Sequence, residues 1–159
     1  GVTLEDAKEA LELFSPPSMR SSIVRSPCGY TVIDDSYNAN PASMAAAVRS
    51  LAAMDGRTKV AVLGDMLELG DHADTSHLEL GFLTAQQGIQ RLLTVGEFGR
   101  RIADGALERG IPASQVTSFA NSAEVADVLK AELRPGDIVL VKGSRGMRME
   151  TVVEGLLSV

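Results

Sequence analysis

From residue 30 to its end, the chain alternates between short apolar stretches and segments of helical pattern. The stretches have the length and the β-branched content of strands, and they cover residues 30–34, 58–66, 91–96, 115–120 and 136–144. A segment with helical spacing follows each stretch, at residues 42–54, 74–87, 97–110, 121–133 and 147–157. This alternation is typical of β-α-β units, which build a mostly parallel sheet. We therefore expect an α/β fold that is Rossmann-like and doubly wound.

A hairpin is predicted before the first of these units. Residues 22–25 form its first strand, residues 26–29 its turn and residues 30–34 its second strand, so that the parallel sheet gains an antiparallel edge. The spacing of Thr3 and Asp6 predicts a capped helix near the start, with an apolar face that reaches Phe14 and an end at residues 15–17. We therefore divide the chain into a linker with a short helix, residues 1–20, and one domain, residues 21–159.

Single residues predict where some of the helices begin and end. Pro41 suits the first turn of a helix, and Gly110 is expected to end one. Asn121 or Ser122 is predicted to cap the helix that follows the fourth parallel strand.

Charge and cysteine content limit the partners and the compartment. The net charge of −6 argues against a nucleic-acid partner, which would need a basic surface. The apolar runs are too short for a membrane span. Cys28 is the only cysteine, which fits a reducing compartment, and we expect a cytoplasmic location. Because the chain starts at Gly1 without Met, we also expect it to be a piece of a longer protein.

Polar residues follow most of the predicted parallel strands at the point where each strand ends. In open α/β sheets, ligands bind outside these carboxyl ends, so we expect the polar residues to form one wall of a cleft. Acids and amides there suit an ammonium group or ribose hydroxyls, whereas Lys142, Arg145 and the amides of residues 143–144 suit a carboxylate or phosphate. The residues in question are Asp34 to Asn40, Gly64 to Met66, Gly96, Glu97 and Lys142 to Arg145.

Simpler interpretations stand beside this one. Asn40 is equally expected as a turn or cap residue, and a solvated charge is the less favoured interpretation of Lys142. His77 is expected at the surface or as a cap, and without a Cys or His cluster we expect no metal site. The sequence contains neither a G-x-x-x-x-G-K-[ST] loop nor a G-x-G-x-x-G motif after the first strand. If the domain meets ATP, another domain must hold the phosphates.

Three motifs together resemble the C-terminal domain of the Mur ligases. They are "DDSYNANP" at 34–41, "LGDMLELG" at 63–70 and "KGSR" at 142–145, and the resemblance covers nearly the whole chain. It is greatest to the family members that join D-Ala-D-Ala to UDP-MurNAc-tripeptide. The resemblance implies an ATP-dependent ligase of peptidoglycan synthesis that works through an acyl phosphate. It also implies two further domains, a UDP-sugar domain and a central domain that holds most of the ATP and Mg²⁺, so this domain alone would be inactive.

The resemblance also implies roles for particular residues. The linker of the family carries Gly-Arg where this chain has Met19-Arg20, so the Arg role carries over and the local backbone is an open question. The ATP-facing residues would be Arg20, Asp35, Tyr37, Asn38 and Asn40. The dipeptide-binding residues would be Asp65, Met66, Lys142, Ser144 and Arg145.

Two other functions remain as alternatives. A phospho-accepting receiver domain would use an acidic pair, an acceptor aspartate and a lysine, which Asp34–Asp35, Asp65 and Lys142 imitate. Asp65, however, follows the second parallel strand, whereas a receiver uses the third. The other alternative is an interaction module that binds no nucleotide.

Overall fold

The structure is a computed structural model that describes residues 2–12 and 19–158. Within residues 2–12, it describes the side chains of residues 2–9 only. Its helices and strands follow the predicted alternation. The strands are β1 (Ser22–Arg25), β2 (Thr31–Asp35), β3 (Lys59–Gly64), β4 (Arg91–Val95), β5 (Val116–Phe119) and β6 (Ile138–Lys142). The helices are α1 (Leu4–Glu12), α2 (Pro41–Ala53), α3 (Ala73–Gln86), α4 (Gly99–Glu108), α5 (Val125–Glu132) and α6 (Glu150–Leu157).

The six strands form one sheet in the order β1-β2-β6-β3-β4-β5. β1 and β2 are antiparallel, and the remaining neighbours are parallel. The last strand, β6, lies in the middle of the sheet between β2 and β3. The predicted Rossmann-like α/β fold with an antiparallel edge hairpin is confirmed.

Successive side chains of a strand point to opposite faces of the sheet, and in the central strands the side chains on both faces are apolar. Helices therefore cover both faces of the sheet. In β6, Val139 and Val141 pack into a cluster with residues of α5 and α6. The alternate residues Ile138 and Leu140 pack into a second cluster with residues of α2, α3 and α4. The continuous apolar runs of the sequence are therefore the inner strands of a sheet buried on both faces.

Most of the predicted boundaries agree with the structure, including the hairpin, the helix start at Pro41 and the turn at Gly110, where φ is +95°. Thr3 and Asp6 form the expected capping box, in which each side chain accepts a hydrogen bond from the backbone amide of the other. Phe14 and residues 15–17 lie outside the described residues.

The predicted cap of α5 is wrong. The helix begins at Val125, and the Asn121 side chain instead accepts a hydrogen bond from the Ala123 amide in a turn before it. The Ser122 hydroxyl donates to the carbonyl of Arg148. Both side chains thus satisfy other backbone groups, which is a common use of Asn and Ser outside helices.

The strand order brings the carboxyl ends of β2, β6 and β3 side by side. The polar residues that follow these three strands therefore meet at one edge of the sheet, as the sequence predicts. Within residues 2–12 and 19–158, no helix has the length and apolar character needed to cross a membrane.

Candidate functional site

A buried ion pair joins the ends of the two neighbouring strands β2 and β6. Asp35 and Lys142 are partners in the strand register, and Lys142 Nζ lies 2.6 Å from Asp35 Oδ2. Lys142 Nζ also donates to the carbonyl of Asn38 at 2.9 Å, and the residue is only 3% exposed. The charge of Lys142 is therefore matched inside the domain, and the lysine holds the loop after β2 in place.

Residues 19–21, just before β1, are fixed to the same strand end. Ser21 donates two hydrogen bonds to Asp35 Oδ1, from its amide at 2.9 Å and from its hydroxyl at 3.2 Å. The Arg20 guanidinium lies over the Tyr37 ring, 4.3 Å from its centre, in a cation–π contact. The Tyr37 amide donates to the carbonyl of Met19. These contacts place the linker arginine beside the loop that follows β2.

Met19 has a φ of +65°, in the left-handed region that a bulky side chain rarely adopts. The sequence did not predict the backbone conformation at Met19, because Met stands where the family carries Gly. The structure shows that the backbone turns in a conformation that favours glycine, although the residue is Met.

A first cavity of about 590 Å³ lies between β1, the end of β2 and α2. All five residues predicted to face ATP line it together with Lys142, and apolar side chains such as Ile33 and Met54 form much of the rest. Its volume is in the usual range for a small-molecule pocket. Lys142, which the sequence assigned to the dipeptide, belongs to this cavity. The five residues are Arg20, Asp35, Tyr37, Asn38 and Asn40.

A second cavity of about 440 Å³ lies on the other side of the segment Tyr37–Asn40. Its opposite walls are residues 67–69, in the loop after β3, and residues 144–146, after β6. Ser144 and Arg145, both predicted to bind the dipeptide, line it. Arg145 is paired with Glu150 at 3.1 Å, and its side chain is largely exposed. The segment Tyr37–Asn40 is thus a wall common to the two cavities.

Asn40 has the capping role that the sequence offered, and it also lines the cavities. Its side chain accepts a hydrogen bond from the Ser43 amide at 2.8 Å, and the Ser43 hydroxyl lies 3.1 Å from the Asn40 amide. This capping box starts α2, and the same residue lines both cavities.

Asp65 and Met66 are not among the described residues that line either cavity. Asp65 is 4% exposed, and burial raises the pKa of its carboxyl, although the amides of Phe98, Gly99 and Glu97 and the nearby His77 oppose that rise. Asp65 therefore lies against the N-terminus of α4, where the helix amides favour a carboxylate. Met66 packs in the core on the α2–α4 face.

The predicted anion site at the Gly143–Ser144 amides requires a correction. The Ser144 amide donates to the carbonyl of Asp65 at 3.0 Å, and α6 begins only at Glu150, after a short 3-10 turn. The Ser144 hydroxyl accepts a hydrogen bond from the Leu67 amide at 2.9 Å and donates to the carbonyl of Ala39. Ser144 thus links the loops that follow β2, β3 and β6.

His77 was predicted at the surface or as a cap, and both interpretations are wrong. The side chain is 0% exposed, and its Nε2 accepts a hydrogen bond from the Met66 amide at 2.8 Å. A signal was present in the sequence, since His77 follows Ala73 by four residues and precedes Leu80 by three, which is the spacing of the buried face of α3.

The strand order argues against a receiver domain. Numbered along the chain, the parallel strands lie in the order 1-5-2-3-4, whereas the flavodoxin-like order of such domains is 2-1-3-4-5. Asp65 also lies against α4 and not in a cavity with Lys142.

Comparison with known proteins identifies the family. The sequence profile described as "Mur ligase, glutamate ligase domain" matches residues 19–145, which is most of the chain. The chain belongs to the Mur ligase family.

Relatives with assigned names lie within this family. The UDP-N-acetylmuramoyl-tripeptide--D-alanyl-D-alanine ligase of Bacillus subtilis is 36% identical over 158 residues, which cover 99% of this chain and 34% of the relative. The ligase of the same name from Escherichia coli is 36% identical over 160 residues, covering 98% and 33%. The chain therefore spans about a third of the length of these relatives.

Solved structures share the fold. A crystal structure of MurF from Acinetobacter baumannii matches 99% of this chain and 34% of its own, with a TM-score of 0.80 and 32% identity. The MurF ligase of Thermotoga maritima, solved in complex with ADP, matches 98% of this chain and 33% of its own with a TM-score of 0.79. At 24% identity, the second likeness concerns the fold alone.

Proposed function

We propose that this chain is the C-terminal domain of an ATP-dependent ligase that joins D-Ala-D-Ala to UDP-MurNAc-tripeptide in the cytoplasm. The observation that carries the proposal is the pair of cavities on the two sides of the segment Tyr37–Asn40. Such a ligase must hold a nucleotide and an amine acceptor close together, and two adjoining cavities suit that need. The Bacillus subtilis and Escherichia coli relatives that carry this name support the choice of substrates.

In this proposal the first cavity receives part of ATP. Arg20, Tyr37 and Asp35 supply a cation, an aromatic ring and a carboxylate that can accept a ribose hydroxyl. ATP, when bound, activates the terminal carboxylate of the tripeptide by phosphorylating it. Residues 2–12 and 19–158 contain no group of three or more His, Cys, Asp or Glu that could hold a metal ion. The proposal therefore leaves Mg²⁺ to the central domain of the ligase and assigns no residue here to it.

The second cavity receives D-Ala-D-Ala. Arg145 is the exposed cation of this cavity, and a guanidinium binds a carboxylate well, so it is assigned to the dipeptide carboxylate. Asn38 and Asn40, in the common wall, can bind polar groups of either substrate. Ser144, Asp65 and Met66 act on the dipeptide through the loops they hold, and Lys142 acts by fixing Asp35 and the carbonyl of Asn38.

The contribution of this domain is placement and the exclusion of water. The activated carboxyl group is open to attack by water as well as by the dipeptide amine, so a domain that closes over it favours the amine. Correct orientation of the two reactants also lowers the barrier. The domains outside this chain would hold the nucleotide phosphates, so the isolated domain is inactive.

The test is a phosphate-release assay on the complete ligase and on the isolated chain. We expect release by the complete ligase to require ATP, UDP-MurNAc-tripeptide and D-Ala-D-Ala together, and we expect none from the chain alone. Asn38→Ala, in the common wall, should abolish most of the turnover while the fold stays intact, and Gln86→Ala, an exposed amide on α3, should not. Turnover by the isolated chain, or full activity without D-Ala-D-Ala, would refute the proposal.

A further inference from the structure

Residues 67–69 form a wall of the second cavity, and the backbone on their N-terminal side is fixed at several points. The carbonyl of Asp65 accepts from the Ser144 amide, and the Leu67 amide donates to the Ser144 hydroxyl. Between these two residues, the Met66 amide donates to His77 Nε2. The anchors come from two sides, Ser144 after β6 and His77 on α3.

The hydrogen-bond partners of His77 indicate which ring nitrogen donates and which accepts. A backbone carbonyl only accepts, so Nδ1, which lies 2.6 Å from the carbonyl of Ala73, carries a proton. A backbone amide only donates, so Nε2, which receives the Met66 amide, carries none. The ring also stacks on Phe98 at 5.0 Å between ring centres. In these contacts His77 donates from Nδ1 and accepts at Nε2, and together with the stacking they fix the orientation of its ring.

In the part of the chain that the structure describes, His77 is not a lining residue of either cavity. It does hold the backbone at Met66, which leads directly to residues 67–69 in the wall of the second cavity. We infer that His77 is a positioning residue for the acceptor substrate: through the Met66 amide, it sets the position of residues 67–69 against Arg145 and Asn38. The inference rests on the proposed function, because it takes the second cavity as the site of D-Ala-D-Ala.

The first test compares two substitutions of His77 in the complete ligase. His77→Leu keeps a similar volume and removes the acceptor, whereas His77→Gln offers an oxygen near the position of Nε2. We expect His77→Leu to raise the KM for D-Ala-D-Ala about tenfold, as expected for one lost hydrogen bond to a backbone amide, and the KM for ATP less than about twofold. His77→Gln should restore most of the KM for D-Ala-D-Ala.

Thr84→Val is the matched control. Thr84 lies on the same helix and is equally buried, but its hydroxyl donates to the carbonyl of Leu80 within that helix. We expect it to leave both KM values within about twofold of the unmodified enzyme, since its hydrogen bond does not reach the loop. An equal rise of both KM values in His77→Leu, the same rise in Thr84→Val, or an unchanged KM for D-Ala-D-Ala in His77→Leu would overturn the role of His77.

The second test does not depend on activity or on a variant that folds. In a ¹⁵N NMR spectrum of the unmodified chain, Nε2 of His77 should show the shift of an unprotonated nitrogen and Nδ1 that of a protonated one. A scalar coupling across the hydrogen bond should connect Nε2 to the Met66 amide. The opposite tautomer or a doubly protonated ring would overturn the inference. If the unmodified ligase itself did not use D-Ala-D-Ala, the proposed function would fail, a result distinct from an active ligase that is indifferent to His77→Leu.

Discussion

Lys142 and Asp35 form an ion pair at 2.6 Å between adjacent parallel strands, and both side chains are largely buried. The pair lies on the wall of the first cavity. Asp35 accepts hydrogen bonds from Ser21, before β1, and Lys142 donates to the carbonyl of Asn38, in the loop after β2. Removing one partner of such a pair leaves an unmatched charge in the interior, which is costly. The pair therefore has a structural role as well as a place in the proposed site.

We expect Lys142→Met to lower the free energy of unfolding of the chain by about 3 kcal/mol. The double variant Lys142→Met/Asp35→Asn should recover at least half of that loss, because neither charge is then buried alone. Lys130→Met, at an exposed lysine of α5, is the control and should change stability by less than about 0.5 kcal/mol. Urea denaturation followed by circular dichroism measures all three. Equal losses for the two lysine variants would contradict the structural role.

The cap of α2 makes a separate prediction, because Asn40 both starts the helix and lines the cavities. Asn40→Ala removes the acceptor for the Ser43 amide and should cost about 1 kcal/mol, whereas Asn40→Ser preserves a capping oxygen and should cost only a few tenths, about 0.3 kcal/mol. If Asn40 also contacts substrate, both variants should lose ligase activity in the complete enzyme. Wild-type activity in Asn40→Ser with reduced activity in Asn40→Ala would assign Asn40 to capping alone.

The sequence predicted the fold class and the common edge of the site because both depend on local signals. Alternating apolar and helical segments define the elements, and the carboxyl ends of parallel strands meet at one edge whatever their order. The order itself depends on which strands pair, and no local pattern carries that information. The position of β6 between β2 and β3, which makes Asp35 and Lys142 neighbours, could therefore not be predicted.

Inward-facing polar side chains were not expected from the sequence. Asp65 and Lys142 were assigned to ligand binding because they follow parallel strands and lie in motifs that resemble those of the family. The structure gives Asp65 the helix amides of α4 and gives Lys142 the carboxylate of Asp35, and only packing in three dimensions provides those partners. The burial of His77 was not expected either, although its spacing on α3 matches the buried face of that helix.

Asp137, just before β6, provides a pH-dependent prediction. Burial favours the neutral acid, but it is outweighed by hydrogen bonds from the Arg57 side chain, the Arg134 amide and Thr58, so the pKa of the Asp137 carboxyl is lowered from its usual 3.8. A lowered pKa means that the carboxylate stabilises the fold above pH 3.8, and that this stabilisation is lost as the pH falls through the folded-state pKa.

Asp137→Asn should therefore cost about 1–3 kcal/mol at neutral pH, and progressively less as the pH falls from 3.8 through the lowered pKa at which the folded wild-type group becomes protonated. Chemical denaturation at a series of pH values measures the difference between the two proteins. Asp55→Asn, at an exposed position, controls for the removal of one negative charge. A stability difference that stays constant or grows as the solution is acidified would show that the carboxylate does not stabilise the fold in this way.

The close approach of Gly96 to Asp65 makes a last prediction, and Gly110, which also has a positive φ, provides the control. Gly96 has a φ of +108° and Gly110 a φ of +95°, so alanine is strained at both positions. A Cβ at Gly96 would also lie within 2.5 Å of Asp65 Cγ, whereas a Cβ at Gly110 would meet no atom within 4 Å. The Asp65 carboxylate cannot move away cheaply, because it is buried against the amides of α4.

Gly110→Ala should therefore cost about 1 kcal/mol, the strain of the backbone alone, and Gly96→Ala about 3 kcal/mol, because the clash adds to that strain. Urea denaturation of the two variants and the parent chain gives the comparison. Because Asp65 leads into Met66 and the wall of the second cavity, Gly96→Ala should also raise the KM for D-Ala-D-Ala in the complete ligase, while Gly110→Ala should not. Equal stability losses in the two variants would mean that the Asp65 carboxylate moves freely, and its contact with α4 would then not fix the loop after β3.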